Sequence, residues 1–310
     1  MVLGIDIGGT KIMVGVLDKN GQILYCHKEK SYAVSGSDVL LEQIFAIIDT
    51  YYSKYFEEVS SIGITLPGIV DKSNGILKYA PFSSLKNVPV KQIFTDKYNK
   101  TVYIDNDVNA CAWGEKWFGV ARDCDNFVWM TVSTGIGGGI VMDGKLLNGY
   151  DGMAGEFGHI VVGNNDELCS CGQRGCLEAV AAGPAWVNKA LKEMYLGVKS
   201  ILKNKEDELT AKDIADAARH GDKLAQEIVQ GAARYIGIAI SWIINILNPQ
   251  MVVLGGGVME ADDLMLPIIR EEAYQRAISA KFRKTPIVKT SLGYNAGLIG
   301  AASLALYPED

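Results

Sequence analysis

One design occurs twice in this chain, and it constrains the fold more than any other feature. LGIDIGGTKIMVGVLD (residues 3–18) and VWMTVSTGIGGGIVMDG (residues 128–144) each read as strand, glycine hairpin, strand, turn. A self-similar segment offset by about half the chain is a weak internal repeat. It predicts two similar lobes that face each other, with a glycine hairpin from each at the mouth of a cleft.

The intervening pattern is mixed. Strands are expected at Val2–Ile7, Ile12–Leu17, near Gln22–Lys28, at Ser61–Leu66, Thr101–Ile104, Phe127–Val132, Gly139–Met142, Met251–Leu254 and near Ile287–Lys289. Apolar residues at helical spacing (Val39, Leu40, Ile44, Ile47, Ile48) predict a helix over Ser37–Phe56. Further helices are expected over Val108–Phe118, Pro184–Tyr195, Ala211–His220 and Asp222–Leu247, the last stopped by Asn248-Pro249, and from Ala296 onward. Alternating strands and helices indicate an α/β architecture.

A chain of 310 residues, 48% hydrophobic, can build two cored domains. Its net charge of −6, without a long basic run, leaves no electrostatic footprint for nucleic acid. The N-terminus lacks the basic and apolar regions of a signal peptide. The longest apolar stretch, Tyr235–Leu247, is too short to span a bilayer and reads as a buried helix or an interface. A cytoplasmic protein with no membrane partner is expected.

The six cysteines therefore read as thiols and metal ligands, and not as three disulfides. His159, Cys169, Cys171 and Cys176 are spaced H-x9-C-x-C-x4-C, and three thiolates with one imidazole make a closed tetrahedral zinc set. Four protein ligands leave no open position, so the zinc is expected to be structural. Glu156 and Glu178 flank this loop. Cys26, Cys111 and Cys124 have no spacing partners and read as buried small apolar residues.

Gly4–Lys11 (GIDIGGTK) nearly imitates a phosphate-binding P-loop, but its order is Gly-Thr-Lys and a strand follows it. The dinucleotide fingerprint is absent too. What remains is a hairpin whose backbone N–H groups and Thr10 hydroxyl can cradle phosphate, with Asp6 before the turn able to hold Mg²⁺. Glycine for positive φ in an ordinary hairpin is the competing explanation. A second loop at Thr134–Gly139 and a glycine cluster at Gly255–Gly257 tilt the balance towards nucleotide. Asp105-Asn106-Asp107 ends a strand and opens a helix; taken alone it reads as a helix N-cap.

Taken together, D6-I-G-G-T-K11, D105-N-D107, S133-T-G-I-G-G-G139, G155-E-F-G-H159, C169-S-C-G-Q-R-G-C-L-E178 and G255-G-G257 resemble the ROK family of sugar kinases and sugar-responsive repressors. The resemblance implies a two-lobed actin/hexokinase-like (ribonuclease H-like) ATPase fold. The small lobe would comprise residues 1–108 with a C-terminal helix over 296–310, the larger one residues 109–295 with the zinc loop. Asp107 would be the general base for a sugar hydroxyl at C6. Gly68, Asn106, Asp107, Glu156, His159 and Glu178 would hold the hexose. Asp6 would sit near Mg²⁺, and Gly9, Thr10, Lys11, Thr134 and Gly135 along the phosphates of ATP, with Gly256 and Gly257 near its adenosine. One nitrogen of His159 would bind zinc and the other donate to sugar. Lobe closure over sugar and a homodimer or homotetramer are implied as well.

Ala112-Trp113-Gly114-Glu115 with Trp117-Phe118-Gly119 is most similar to the glucokinases. Tyr79-Ala80-Pro81-Phe82-Ser83 departs from them, because an asparagine commonly follows that proline; Phe82 can reshape the pocket near C2 or C3 or pack beneath the loop. Kinases for N-acetylmannosamine, N-acetylglucosamine, fructose or allose remain alternatives. A non-catalytic sugar-sensing transcriptional regulator is the other class. It is disfavoured by a first strand starting at residue 2, which leaves no room for a helix-turn-helix segment, and by intact phosphate loops.

Overall fold

The computed structural model describes residues 1–32, 36–80, 85–163 and 166–309. Phe82, with Pro81 and Ser83, lies outside the described residues. The chain forms two compact units, one of residues 1–125, 139–154 and 291–310, the other of residues 126–138 and 155–290.

In chain order the first unit contributes β1 (Val2–Ile7), β2 (Lys11–Leu17), β3 (Ile23–Lys30), α1 (Ser37–Tyr51), β4 (Ser61–Leu66), β5 (Ile69–Asp71), β6 (Ile76–Tyr79), β7 (Lys86–Val88), α2 (Val90–Tyr98), β8 (Thr101–Asn106) and α3 (Asp107–Phe118). Its main sheet is ordered β3-β2-β1-β4-β8. β1 pairs antiparallel with β2 but parallel with β4, and β4 parallel with β8. Being buried on both faces, β1 and β4 are apolar along most of their length, as central parallel strands are.

One face of this sheet carries Leu3, Ile5, Ile7, Ile62, Ile64 and Ile104 into a core with Leu40, Ile44, Ile47 and Ile48 of α1 and Phe94 of α2. Past Tyr51 the expected long helix gives way to a short 3-10 turn, Ser53–Tyr55. β3 pairs with β2 alone at the sheet edge, where Leu24, Tyr25 and Cys26 are exposed, contrary to the expectation of burial for Cys26. Cys111 is half-buried and Cys124 buried.

The second unit begins with β9 (Phe127–Val132). The chain passes back to the first unit within β10 (Ile136–Met142), which β11 (Lys145–Leu146) follows. Then come α4 (Leu177–Ala181), α5 (Gly183–Tyr195), α6 (Ala211–Arg219), α7 (Lys223–Leu247), β12 (Met251–Gly255), α8 (Asp262–Arg276) and β13 (Ile287–Lys289). The second sheet is ordered β11-β10-β9-β12-β13, with β12 parallel to both β9 and β13. Its helices have chemically defined ends. Thr210 and Asp213 form a reciprocal capping box on α6, and Asp222 caps α7 by accepting the Ala225 N–H at 2.9 Å. Asn248, at φ 44°, ends α7 as expected before Pro249. Among the described residues no helix is long and apolar enough to cross a membrane.

The last helix, α9 (Ala296–Leu306), returns to the first unit and packs on β1, β4 and α3. It lies almost on the sheet backbone: a Cβ on Gly63 would stand 1.7 Å from the Ala301 carbonyl oxygen, and one on Gly300 2.5 Å from that of Ala110. The Ala/Gly-rich sequence of α9 permits that approach. α3 thus goes with the first unit, beyond the division expected at residue 108.

Candidate functional site

In the first unit the site is built at the carboxyl ends of parallel strands, where open α/β sheets bind ligands. Asp6 pairs in register with Thr65, and Thr65 with Asp105, so three polar residues form one row across β1, β4 and β8. Thr65 Oγ1 donates to Asp6 Oδ1 at 2.9 Å. Burial pushes the Asp6 carboxyl above the ordinary aspartate range, with the Thr65 hydrogen bond and the Lys11 charge opposing. A crowded carboxylate held by one oxygen suits a divalent cation as partner, so Asp6 fits the Mg²⁺ role.

The turn after β1 is closed by the Gly8 N–H donating to the Lys11 carbonyl at 2.8 Å. Neither Gly8 nor Gly9 lies at positive φ, so the conformational explanation for these glycines fails. Thr10 is exposed, and the Lys11 ammonium lies 3.9 Å over the Tyr294 ring.

At the junction of β8 and α3 the cap is Asn106: its Oδ1 accepts the Asn109 N–H at 2.8 Å. Asp107 is therefore the first helical residue and not the cap. Its Oδ1 accepts the Val108 N–H at 3.1 Å, and the helix N-terminus favours negative charge there. The Asn106 amide reaches the Gly68 carbonyl at 3.5 Å, which brings two of the expected sugar-holding residues together.

In the second unit, His159, Cys169, Cys171 and Cys176 gather as the spacing predicts, their ligand atoms all within 4.8 Å of one another. A tight hairpin forms the cluster: Cys169 N–H donates to the Gln173 carbonyl at 2.8 Å, and Val161 bridges to Cys176. The Cys171 and Cys176 sulfurs are 3.7 Å apart, and His159 Nδ1 is 3.5 Å from Cys169 Sγ. A tetrahedron with Zn–S of about 2.3 Å and Zn–N of about 2.0 Å has edges of about 3.8 and 3.5 Å. The four residues thus fit a zinc ion both in donor chemistry and in spacing.

His159 Nε2 lies on the other side of the ring, 3.9 Å from Glu156 Oε2. Metal on Nδ1 would leave Nε2–H as a donor facing that carboxylate. Glu178, in the first turn of α4, is held from two sides. Its Oε1 accepts the Ser170 hydroxyl at 3.2 Å and its Oε2 the Ile136 N–H at 3.0 Å. Gly155, which opens the Gly-Glu-Phe-Gly-His run, has φ 93°, and a Cβ on it would stand 1.9 Å from the Gly138 carbonyl oxygen. Only glycine fits.

The second glycine hairpin is tighter than expected, because β10 starts at Ile136 and the turn is Ser133–Gly135, closed by Ser133 N–H to Gly135 O at 2.9 Å. Beside it lies a cleft of about 500 Å³ lined by Thr134, Pro184, Val187, Asn188, Lys212 and Gly257 among others. Thr134 and Gly257 were expected near nucleotide. Gly135 packs under Glu178, while Gly256 turns the chain at φ 91°. Pro184, Val187, Asn188 and Lys212 were missed; they sit on helices whose sequence gives no motif. Thr65 and Asp105 were missed as supporting residues, because register across strands is needed to see them.

The model of the ROK family matches residues 2–307. The glucokinase of Thermotoga maritima is 36% identical over 98% of this chain and 96% of its own. The xylose repressor of Caldicellulosiruptor bescii is 32% identical over 98% of this chain and 78% of its own. Among solved structures, a ROK family glucokinase from Streptomyces griseus in complex with glucose and AMPPNP superposes with a TM-score of 0.84 at 33% identity, covering 98% of both chains. The fold is the two-lobed α/β fold of the actin/hexokinase-like ATPase type found in such kinases.

Proposed function

Given that the chain belongs to the ROK family, we propose that it is an ATP-dependent hexose kinase acting at the C6 hydroxyl, with glucose as the first substrate to test. The observation that carries this reading is Asp107 itself: a carboxylate at the first position of α3, set at the carboxyl end of β8 beside a capping Asn106 that also reaches the Gly68 carbonyl.

In the proposed reaction the sugar C6 oxygen attacks the γ-phosphorus of ATP. The new O–P bond forms as the β–γ P–O bond breaks, ADP leaves, and the hydroxyl proton goes to the Asp107 carboxylate. Phosphoryl transfer needs alignment and charge neutralisation above all. Gly68, Asn106, Glu156, His159 and Glu178 are assigned to hold hexose hydroxyls. Asp6 would hold Mg²⁺, which neutralises phosphate charge when bound. Gly9, Thr10, Lys11, Thr134 and Gly135 are assigned to the phosphates, and the cleft beside Gly257 to adenosine. Zinc on the His159, Cys169, Cys171 and Cys176 set would be structural, fixing the imidazole ring so that Nε2–H points away from the metal.

The name of the xylose-repressor relative favours a second reading, a sugar-responsive regulator that binds without turnover. The deciding experiment measures ADP release with Mg²⁺-ATP against glucose, mannose, fructose, allose, N-acetylglucosamine and N-acetylmannosamine. Turnover on one sugar supports the kinase and names its substrate. Tight binding without turnover on any supports the regulator and makes Asp107 a ligand.

A further inference from the structure

We propose that Asp105, charge-balanced by Lys72 and through it by Glu309, is the positioning residue for the Asn106–Asp107 junction. This rests on the kinase reading of Asp107.

Asp105 is 3% exposed. Its Oδ1 accepts two donors from the segment it precedes, the Asn106 N–H at 2.7 Å and the Asn109 side-chain amide at 3.3 Å. Asn109 in turn donates its backbone N–H to Asn106 Oδ1 and its amide to Asn148 Oδ1 at 3.2 Å. These bonds tie the end of β8 to the first turn of α3, on which Asp107 sits.

The other oxygen, Oδ2, is buried and makes no hydrogen bond. Its ion partner is the Lys72 ammonium at 3.6 Å, and Lys72 also pairs with Glu309. Glu309 is itself anchored, since its Oε1 accepts the Leu146 N–H at 2.6 Å. Burial pushes the Asp105 carboxyl up and Glu309 adds to that, while Lys72 pulls it down.

A buried ion pair is weak ground for stability, because apolar residues of similar volume often do as well. What an apolar residue cannot do is accept two donors at the strand–helix junction. A carboxylate does so well only while ionised, since protonation weakens its charge-assisted bonds. Lys72, the cation 3.6 Å away, favours that ionised form. A small misplacement of a reacting group can cost about 100-fold in rate, so the effect belongs in turnover.

The test uses the full chain, with kcat, sugar KM and melting temperature measured for four proteins: wild type, Lys72→Met, Glu309→Gln and the double variant Asp105→Asn/Lys72→Met. On the sugar that wild type turns over best, Lys72→Met should lose about 10- to 100-fold in kcat, with a smaller rise in sugar KM because Asn106 shifts with the junction. Glu309→Gln should lose less. The double variant should recover much of the loss, because an asparagine oxygen still accepts both donors and needs no cation. A purely structural role would lower the melting temperature of Lys72→Met and leave the kcat of the folded enzyme alone, which overturns the proposal. So does a double variant slower than Lys72→Met. A wild type silent on every sugar removes the kinase reading and this proposal together; an active wild type matched by Lys72→Met removes this proposal alone.

Discussion

Glu178 accepts the backbone N–H of Ile136 at 3.0 Å, so a carboxylate from the edge of the cysteine-rich loop is fastened to the glycine hairpin that opens β10. Its second oxygen is fastened to Ser170, between two cysteines of the thiol cluster. Residues proposed to hold sugar and residues proposed to hold phosphate in the second unit are thus joined by hydrogen bonds.

Gly135 makes this arrangement testable. A Cβ there would lie 2.6 Å from Glu178 Oε2. Gly135→Ala should displace the carboxylate and raise sugar KM about tenfold or more, by analogy with other losses of a buried polar contact. A KM within twofold of wild type would show that Glu178 does not hold sugar.

Asp107→Asn should lower kcat about 10²- to 10⁴-fold, the range for losing a positioned base. Sugar affinity, read by calorimetry, should stay within a few-fold, because asparagine keeps the shape and hydrogen-bonding capacity of the site. Retention of most of the rate would remove Asp107 from the base role.

The thiol cluster predicts one zinc per chain by elemental analysis, released by chelators at elevated temperature. Its loss should lower the melting temperature and weaken sugar binding together, since the same loop carries His159 and leads to Glu178. Cys171→Ser should act in the same direction. Metal-free protein that stays folded and binds sugar at full affinity would uncouple the two.

Asp6 predicts a trade between stability and function. Its carboxyl is held above the ordinary aspartate range in the fold, so near neutral pH the ionised carboxylate is accommodated better by the unfolded chain than by the folded one. Asp6→Asn should therefore raise the melting temperature of ligand-free protein by roughly 2–4 °C at pH 7–8. The gain should shrink as pH falls towards 4, where both states of the wild-type carboxyl take up the proton. Turnover should at the same time need far more Mg²⁺. An unchanged Mg²⁺ requirement would move the metal elsewhere.

Much of the fold was legible because its signals are local. Val2–Ile7, Ser61–Leu66 and Phe127–Val132 are strands with the expected bounds, and α9 starts at Ala296 as expected. The zinc spacing was legible because the hairpin that folds it is short. The small sheet ordered β5-β6-β7, and α2 beside it, went unseen: its strands are three or four residues long and have no clean alternation. The glycines of the second hairpin read as phosphate-binding, yet Gly138 is needed because a Cβ would stand 2.1 Å from the Phe157 ring. The row of Asp6, Thr65 and Asp105 spans a hundred residues and exists only in the register of β1, β4 and β8.

The seat of α9 on Gly63 also sets an order of events in the cell. The face of the first sheet that carries Val2, Met13 and Leu17 is covered by Leu298, Ala302 and Ala305. A ribosome must therefore make the whole second unit before that face can close. At about 5–20 residues per second, the sheet waits on the order of ten to forty seconds with an apolar groove open. The first unit thus closes only after the second has been made, and until then one face of its sheet has need of cover.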